Sequence, residues 1–175
     1  DASGTEEKVT VYLEPGYWGF KGEAKADTIT SNGQITVNFG TKIENLIGSN
    51  FGDHLVGNEL NNQLTGNAGN DIIDGSSGID TAIYSGSLSD FTLTKGTDSW
   101  AITKSDESDS LVNIERLQFT NTNVALDLDG NAGKTAKLLG AILGAEGVSN
   151  KVYVGAGLYF LDGGMTYEEL TQAAL

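Results

Sequence analysis

The sequence predicts a mainly β fold: a short parallel β-roll flanked by β-strands, with a small α-helical module at the C-terminus. Three observations carry that expectation. Between Phe39 and Ile83 the chain repeats with a nine-residue period. On either side of the repeat, short segments alternate apolar and polar residues, and after Asp127 apolar residues recur at helical spacing. A fixed short period marks a solenoid, whose units bury their apolar faces only by stacking on one another. The change of texture divides the chain into residues 1–128, the roll with its flanking strands, and residues 129–175, the helical module.

The repeat itself reads FGTKIENLI, GSNFGDHLV, GNELNNQLT, GNAGNDIID and GSSGIDTAI, here rows one to five. The eighth positions are Leu46, Leu55, Leu64, Ile73 and Ala82, an unbroken apolar ladder. The sixth positions are Glu44, Asp53, Asn62, Asp71 and Asp80, each carrying side-chain oxygen. From row two on, the first position is glycine: Gly48, Gly57, Gly66 and Gly75. The glycine-rich half of each row needs left-handed backbone angles, which glycine and asparagine adopt at little steric cost. The remaining three residues form a short strand whose eighth position points into the stack. Each row turns the chain half-way round, so neighbours on one side lie two rows apart. One side then stacks Glu44, Asn62 and Asp80, and the other stacks Asp53 and Asp71.

Charge gives that stacking a chemical meaning. Asp and Glu number 24 against 10 Lys and Arg, for a formal charge of −14. Such a chain, with Arg116 its single arginine, is not drawn to nucleic acid or anionic lipid. A solvated acidic surface is the bland explanation, but these acids are periodic. Carboxylates stacked about 5 Å apart repel one another strongly when bare. A divalent cation between successive turns removes the repulsion and satisfies inward-facing turn carbonyls. Calcium suits this role, taking six to eight oxygens at roughly 2.3–2.6 Å from carboxylates and backbone carbonyls. The chain has no cysteine and one histidine, which excludes disulfides, thiolate zinc sites and zinc sites needing two or three imidazoles. That histidine, His54, reads as a lone surface residue. No apolar run approaches the ~20 residues of a membrane span, and no signal peptide opens the chain. It starts Asp-Ala-Ser-Gly without methionine, and so is expected to be part of something longer.

GNAGNDIIDGSSGIDTA resembles the Gly-Gly-x-Gly-x-Asp-x-U-x nonapeptide of RTX proteins, whose parallel β-roll binds calcium. IENLIGSNFGDHLVGN resembles the start of the roll in the C-terminal domain of serralysin-type metalloproteases, and DASGTEEKVTVYLEPG the stretch just before it. The resemblance implies calcium ligation by Glu44 in the Ile-Glu-Asn phrase, by Asp53, Asp71 and Asp80, and by carbonyls such as those of Gly69 and Gly78. Asn62 is expected to complete the ligand set in row three, where an aspartate is usual, while Phe51 and Leu60 stand where glycine is usual.

The flanks follow from pattern. Residues 9–13 and 35–39 alternate as strands, with turns at Pro15-Gly16 and Asn32-Gly33. Tyr17, Trp18 and Phe20 are expected to plug the first rung, because an open solenoid end needs covering. After Ile83, residues 91–95, 99–104, 110–119 and 123–128 read as strands of an antiparallel cap, with a hairpin turn at Gly96-Thr97-Asp98. Asp106-Glu107-Ser108-Asp109 reads as a solvated loop, and DSLVNIERLQF resembles a phrase that follows RTX rolls. Asn131 is expected to cap a helix over 132–145, and Ser149 a second one ending at Leu161 before Gly163-Gly164. Thr166 and Glu169 form a capping box opening a helix over 167–175. This tail resembles a helical module at the C-termini of type I-secreted bacterial proteins, which carry an uncleaved C-terminal export signal.

Two tempting motifs fail. Gly133-Lys134-Thr135 resembles the end of a phosphate-binding loop, but Leu128 occupies its first glycine position. Asp127-Leu128-Asp129-Gly130-Asn131 resembles the start of an EF-hand, yet Ala132 and Leu138 stand where glycine and glutamate are needed, so it reads as a helix cap. The expected function is that of a non-catalytic calcium-binding C-terminal domain of a secreted, extracellular bacterial protein. Its work would be type I export and calcium-triggered folding of an N-terminal parent domain, with calcium ions and the type I secretion apparatus as partners. The resemblance implies a serralysin-like zinc metalloprotease as that parent. No His-Glu-x-x-His motif occurs here, so protease activity cannot reside in these residues. The competing reading is a calcium-dependent surface-assembly or adhesion module of a structural protein.

Overall fold

The computed structural model describes residues 1–23 and 33–175. Of the expected turn at Asn32-Gly33, Asn32 lies outside the described residues. The repeat supplies five parallel strands: β4 (Asn45–Ile47), β5 (His54–Asn58), β6 (Gln63–Thr65), β7 (Ile72–Ser76) and β8 (Thr81–Ile83). Strands β4, β6 and β8 pair in parallel with Leu46 opposite Leu64 and Leu64 opposite Ala82. Strands β5 and β7 pair with Leu55 opposite Ile73. Neighbours are therefore two rows apart, and the eighth-position ladder is buried along its whole length.

The roll continues on both sides of the repeat. Before it, β1 (Val9–Tyr12) runs antiparallel to β2 (Trp18–Lys21), which pairs with β3 (Gln34–Thr36). Strand β1 also lies parallel to β5, with Val11 opposite Leu55, so it forms the rung ahead of row two. Val9, Val11 and Leu13 are buried, while Tyr17 and Trp18 are exposed. The edge of β5 is thus covered by a paired strand, and the aromatic plug expected from the sequence is not formed by Tyr17 and Trp18. Backbone pairing satisfies the open N–H and C=O groups of the edge, which aromatic rings cannot do.

After the repeat come β9 (Thr92–Lys95), β10 (Trp100–Lys104), β11 (Glu107–Val112), β12 (Arg116–Gln118) and β13 (Asn123–Ala125). Only part of the expected antiparallel cap exists: β9, β10 and β11 pair antiparallel. The segment read as one strand over 110–119 divides at Asn113, whose φ is 49°. Its first half, β11, runs parallel to β7, and its second, β12, parallel to β8. The nine-residue period stops at Ile83, but the stacking geometry does not. The strand order is β3-β2-β1-β5-β7-β11-β10-β9 in one sheet and β13-β12-β8-β6-β4 in the other.

The chain forms two compact units, residues 1–124 and 125–175. In the second, α1 (Asn131–Ser149), α2 (Lys151–Asp162) and α3 (Tyr167–Ala173) bury Leu138, Leu161 and Leu170 together. Asn131 does not cap α1. The Asp127 carboxylate takes that role, accepting from the N–H groups of Asn131 (2.7 Å) and Ala132 (3.3 Å), so the Asp-Leu-Asp-Gly-Asn phrase is a helix cap. Gly144, at φ 67°, kinks α1 near its expected end. Asn150 rather than Ser149 caps α2, its Oδ1 accepting from Val152 (3.0 Å) and Tyr153 (3.3 Å). The Thr166–Glu169 capping box is formed at α3. No helix among the described residues is long and apolar enough to cross a membrane.

Candidate metal centre

Stacking brings the sixth-position side chains into two columns, one along each edge of the roll. Their carboxylates reach back one rung to accept from backbone. Asp53 Oδ1 accepts from the Val9 N–H (2.6 Å) and Asp71 Oδ1 from the Asp53 N–H (2.8 Å). On the other edge Asp80 Oδ1 accepts from the Asn62 N–H (2.7 Å). Asp53, Asn62, Asp71 and Asp80 are all buried. Glu44 is the exception. Its side chain is exposed, and it meets the column through its backbone carbonyl, which accepts from Gln63 N–H (2.7 Å). Gly69 and Gly78 lie in the turns of rows four and five at φ 121° and 130°, angles that residues with a side chain rarely adopt. A β-carbon at Gly69 would stand 2.6 Å from the Gly52 nitrogen, and one at Gly78 2.7 Å from the Leu60 carbonyl oxygen. His54 is half-buried, edge-on to Tyr12 at 5.8 Å.

Three side chains outside the repeat join the columns. Asp109, read from sequence as part of a solvated loop, is buried on β11 and extends the first column. Its Oδ1 accepts from the Asp71 N–H (3.0 Å) and its Oδ2 from the Tyr84 hydroxyl (3.0 Å). Tyr84 is held between Phe91 and Phe119, at 5.3 and 5.7 Å between ring centroids. Glu115 extends the second column, its Oε2 accepting from the Asp80 N–H (2.8 Å). The signal for Asp109 and Glu115 is a spacing: Asp109 lies 38 residues after Asp71 and Glu115 lies 35 after Asp80, and neither is a multiple of nine, which hides each from the period.

The electrostatics are those of a site short of positive charge. Burial pushes the Asp71 carboxyl up to about 7, against the hydrogen bond from Asp53, with the charges of Asp109, Asp53 and Glu107 adding to the rise. Burial likewise pushes Asp80 up to about 7, with Glu115 and Asp74 adding to it. Asp109 is raised by burial too, although its hydrogen bonds oppose the shift. Oδ2 of Asp71 and Oδ2 of Asp80 are buried without a hydrogen-bond partner. A buried carboxylate oxygen with no donor is costly, and a hard cation ringed by oxygens relieves that cost. No three Asp, Glu, His or Cys side chains converge as a cation site among the described residues, so a cation here would depend on turn carbonyls as well as carboxylates. Donor type and orphaned oxygens both fit calcium.

Residues 47–82 match the family model of the RTX calcium-binding nonapeptide repeat, in four copies. These rungs are RTX repeats. RTX nonapeptide repeats bind calcium, and the match spans rows two to five apart from Ile83, leaving Glu44 outside it. No curated protein matches the chain. Among solved structures, the extracellular lipase LipA from Serratia marcescens is similar at 17% identity and a TM-score of 0.29, over 51% of this chain and 18% of the lipase. The chain thus corresponds to less than a fifth of that lipase's length.

Proposed function

We propose that this chain is a non-catalytic calcium-binding domain of a secreted bacterial protein, serving calcium-triggered folding and type I export of its parent. The observation that carries the reading is the pair of orphaned carboxylate oxygens, on Asp71 and Asp80, inside RTX turns. Asp71 and Asp80, with carbonyls of the turns containing Gly69 and Gly78, would hold the ions. Calcium supplies the positive charge that these turns lack. Where calcium is scarce, as in a cytosol, Asp71 faces the charges of Asp109, Asp53 and Glu107 uncompensated, and closing the turn is opposed. Where calcium is millimolar, each occupied site adds about 2.7 kcal/mol to folding at a hundredfold excess over its dissociation constant. The chain is thus loose enough to be threaded outward where calcium is scarce and folds where it is millimolar. Absence of cysteine suits a route without oxidative folding.

The IENLIGSNFGDHLVGN phrase, similar to the start of the serralysin roll, supports a secreted zinc metalloprotease as the parent. The helical unit, ending in a short capped helix, supports a C-terminal export signal there. The test is export of this chain by cells carrying a type I apparatus, into medium with millimolar calcium or with chelator. Secretion is expected in both media, with protease resistance of the exported chain only in calcium. Retention in the cells, or equal resistance in both media, would overturn the reading.

A further inference from the structure

We infer that the roll is divided chemically: the turns of rows two and three close on the protein's own donors, and only those of rows four and five depend on calcium. The inference rests on the calcium reading above and goes beyond it by assigning which turns take the ion. In row two, both Asp53 oxygens are satisfied. Oδ1 accepts from Val9 N–H (2.6 Å) and the Ser49 hydroxyl (2.8 Å), and Oδ2 accepts from Ser49 N–H. In row three the sixth residue is an amide. Asn62 Oδ1 accepts from Asn58 N–H (2.8 Å), and its Nδ2 donates to the Ile43 carbonyl (3.2 Å). Asn58 Nδ2 donates to the same carbonyl at 2.8 Å. Two amide groups therefore bring positive N–H dipoles to an inward turn carbonyl, the part a cation would otherwise play.

Rows four and five lack this arrangement because their second residue is turned over. Asn67 and Ser76 have φ of 74° and 72°, whereas neither Ser49 nor Asn58 has a positive φ. In row five the flip sends the Ser76 N–H to Asp74 Oδ1 (2.9 Å), away from Asp80. Asn67 instead spans rungs, its Nδ2 donating to the Gly48 carbonyl (2.9 Å). Oδ2 of Asp71 and Oδ2 of Asp80 are left buried with no partner, on residues 1% and 0% exposed. Phe51 and Leu60 fit the same division: they occupy the fourth position of rows two and three, and their N–H groups close onto Ser49 Oγ (3.1 Å) and Asn58 Oδ1 (2.9 Å). Rows four and five carry glycine at φ 121° and 130° instead.

Equilibrium dialysis of the full chain against calcium, with urea unfolding in calcium and in chelator, tests the division. Asp71→Asn and Asp80→Asn are each expected to lower the bound calcium, and the double variant to bind none. In chelator the double variant should unfold at a higher urea concentration than the unaltered chain, because it no longer buries uncompensated charge. Asp53→Asn should lose stability equally in both media and keep its calcium. Should Asp53→Asn fail to fold, the double variant decides alone: calcium retained by it, or a lower urea midpoint in chelator, overturns the inference. Loss of calcium from Asp53→Asn equal to that from Asp71→Asn also overturns it. No calcium on the unaltered chain would instead defeat the underlying calcium reading.

Discussion

Leu64→Ala tests whether the apolar ladder holds the roll together. Leu64 is 0% exposed and lies between Leu46 and Ala82 on the neighbouring rungs. The substitution removes three carbons, worth about 2.4 kcal/mol at ~0.8 kcal/mol per buried methylene. The void adds to this, because the rungs cannot collapse into it. They are pinned by Gln63 N–H to Glu44 C=O (2.7 Å), Gly48 N–H to Thr65 C=O (2.8 Å) and Thr81 N–H to Asn62 C=O (2.9 Å). A total of about 3–4 kcal/mol follows, near the middle of the range for leucine truncations in cores. Ile72→Ala is the control, since Ile72 is 48% exposed and sits on the outward face beside buried Ile73. It should cost less than about 1 kcal/mol. Urea unfolding in saturating calcium measures both, with a fall in midpoint at unchanged slope. A loss from Leu64→Ala below about 1 kcal/mol, or no greater than that from Ile72→Ala, would refute the ladder as the core.

Stability in chelator should fall as pH rises. The Asp71 and Asp80 carboxyls, raised from 3.8 to about 7, keep protons in the folded state that the unfolded chain has released. Their stabilising effect is full below the unfolded value near 3.8 and is lost as pH approaches about 7, with a slope of up to about 1.4 kcal/mol per pH unit for each group. A urea midpoint in chelator higher at neutral pH than at about pH 5 would contradict this. Gly69→Ala, at φ 121° and with a β-carbon 2.6 Å from the Gly52 nitrogen, should cost at least about 1–3 kcal/mol from strain alone, measured by urea unfolding in calcium. Gly4→Ala, with nothing within 4 Å, should stay within about 0.5 kcal/mol by the same measurement. Deleting residues 166–175 should stop type I export while leaving calcium affinity intact, because the roll's ladder contains none of those residues. Secreted fraction and calcium midpoint on the same truncation check both.

The repeating part of the fold is legible because period and stacking are the same fact: residues nine apart change edge, and residues 18 apart meet. That reasoning reaches Leu46, Leu64 and Ala82 in one sheet and Leu55 and Ile73 in the other. It does not reach β1, β11 or β12, whose parallel partners are chosen by long-range pairing that no local pattern marks. Asp109 shows the consequence: an acidic tetrapeptide ordinarily favours solvent, and only docking against the Asp71 N–H and the Tyr84 hydroxyl makes its burial tolerable. Ser149 and Asn150 are both good capping residues, and side-chain chemistry alone does not choose between them. The differences among rows are partly readable. Glycine at Gly69 and Gly78 against Phe51 and Leu60 separates the two kinds of turn, but the backbone flip at Asn67 and Ser76 that orphans the carboxylates is a property of the folded turn.

Hydrogen exchange at the Ile72 and Thr81 amides tests most directly whether calcium closes the RTX turns. These amides donate across the stack to the carbonyls of Asp53 (2.8 Å) and Asn62 (2.9 Å), just beyond Asp71 and Asp80. Both should be strongly protected in millimolar calcium, lose that protection in chelator, and recover it with calcium but not with magnesium, which demands a smaller and stricter octahedral shell. Equal protection with and without calcium would contradict calcium-driven closure of the roll.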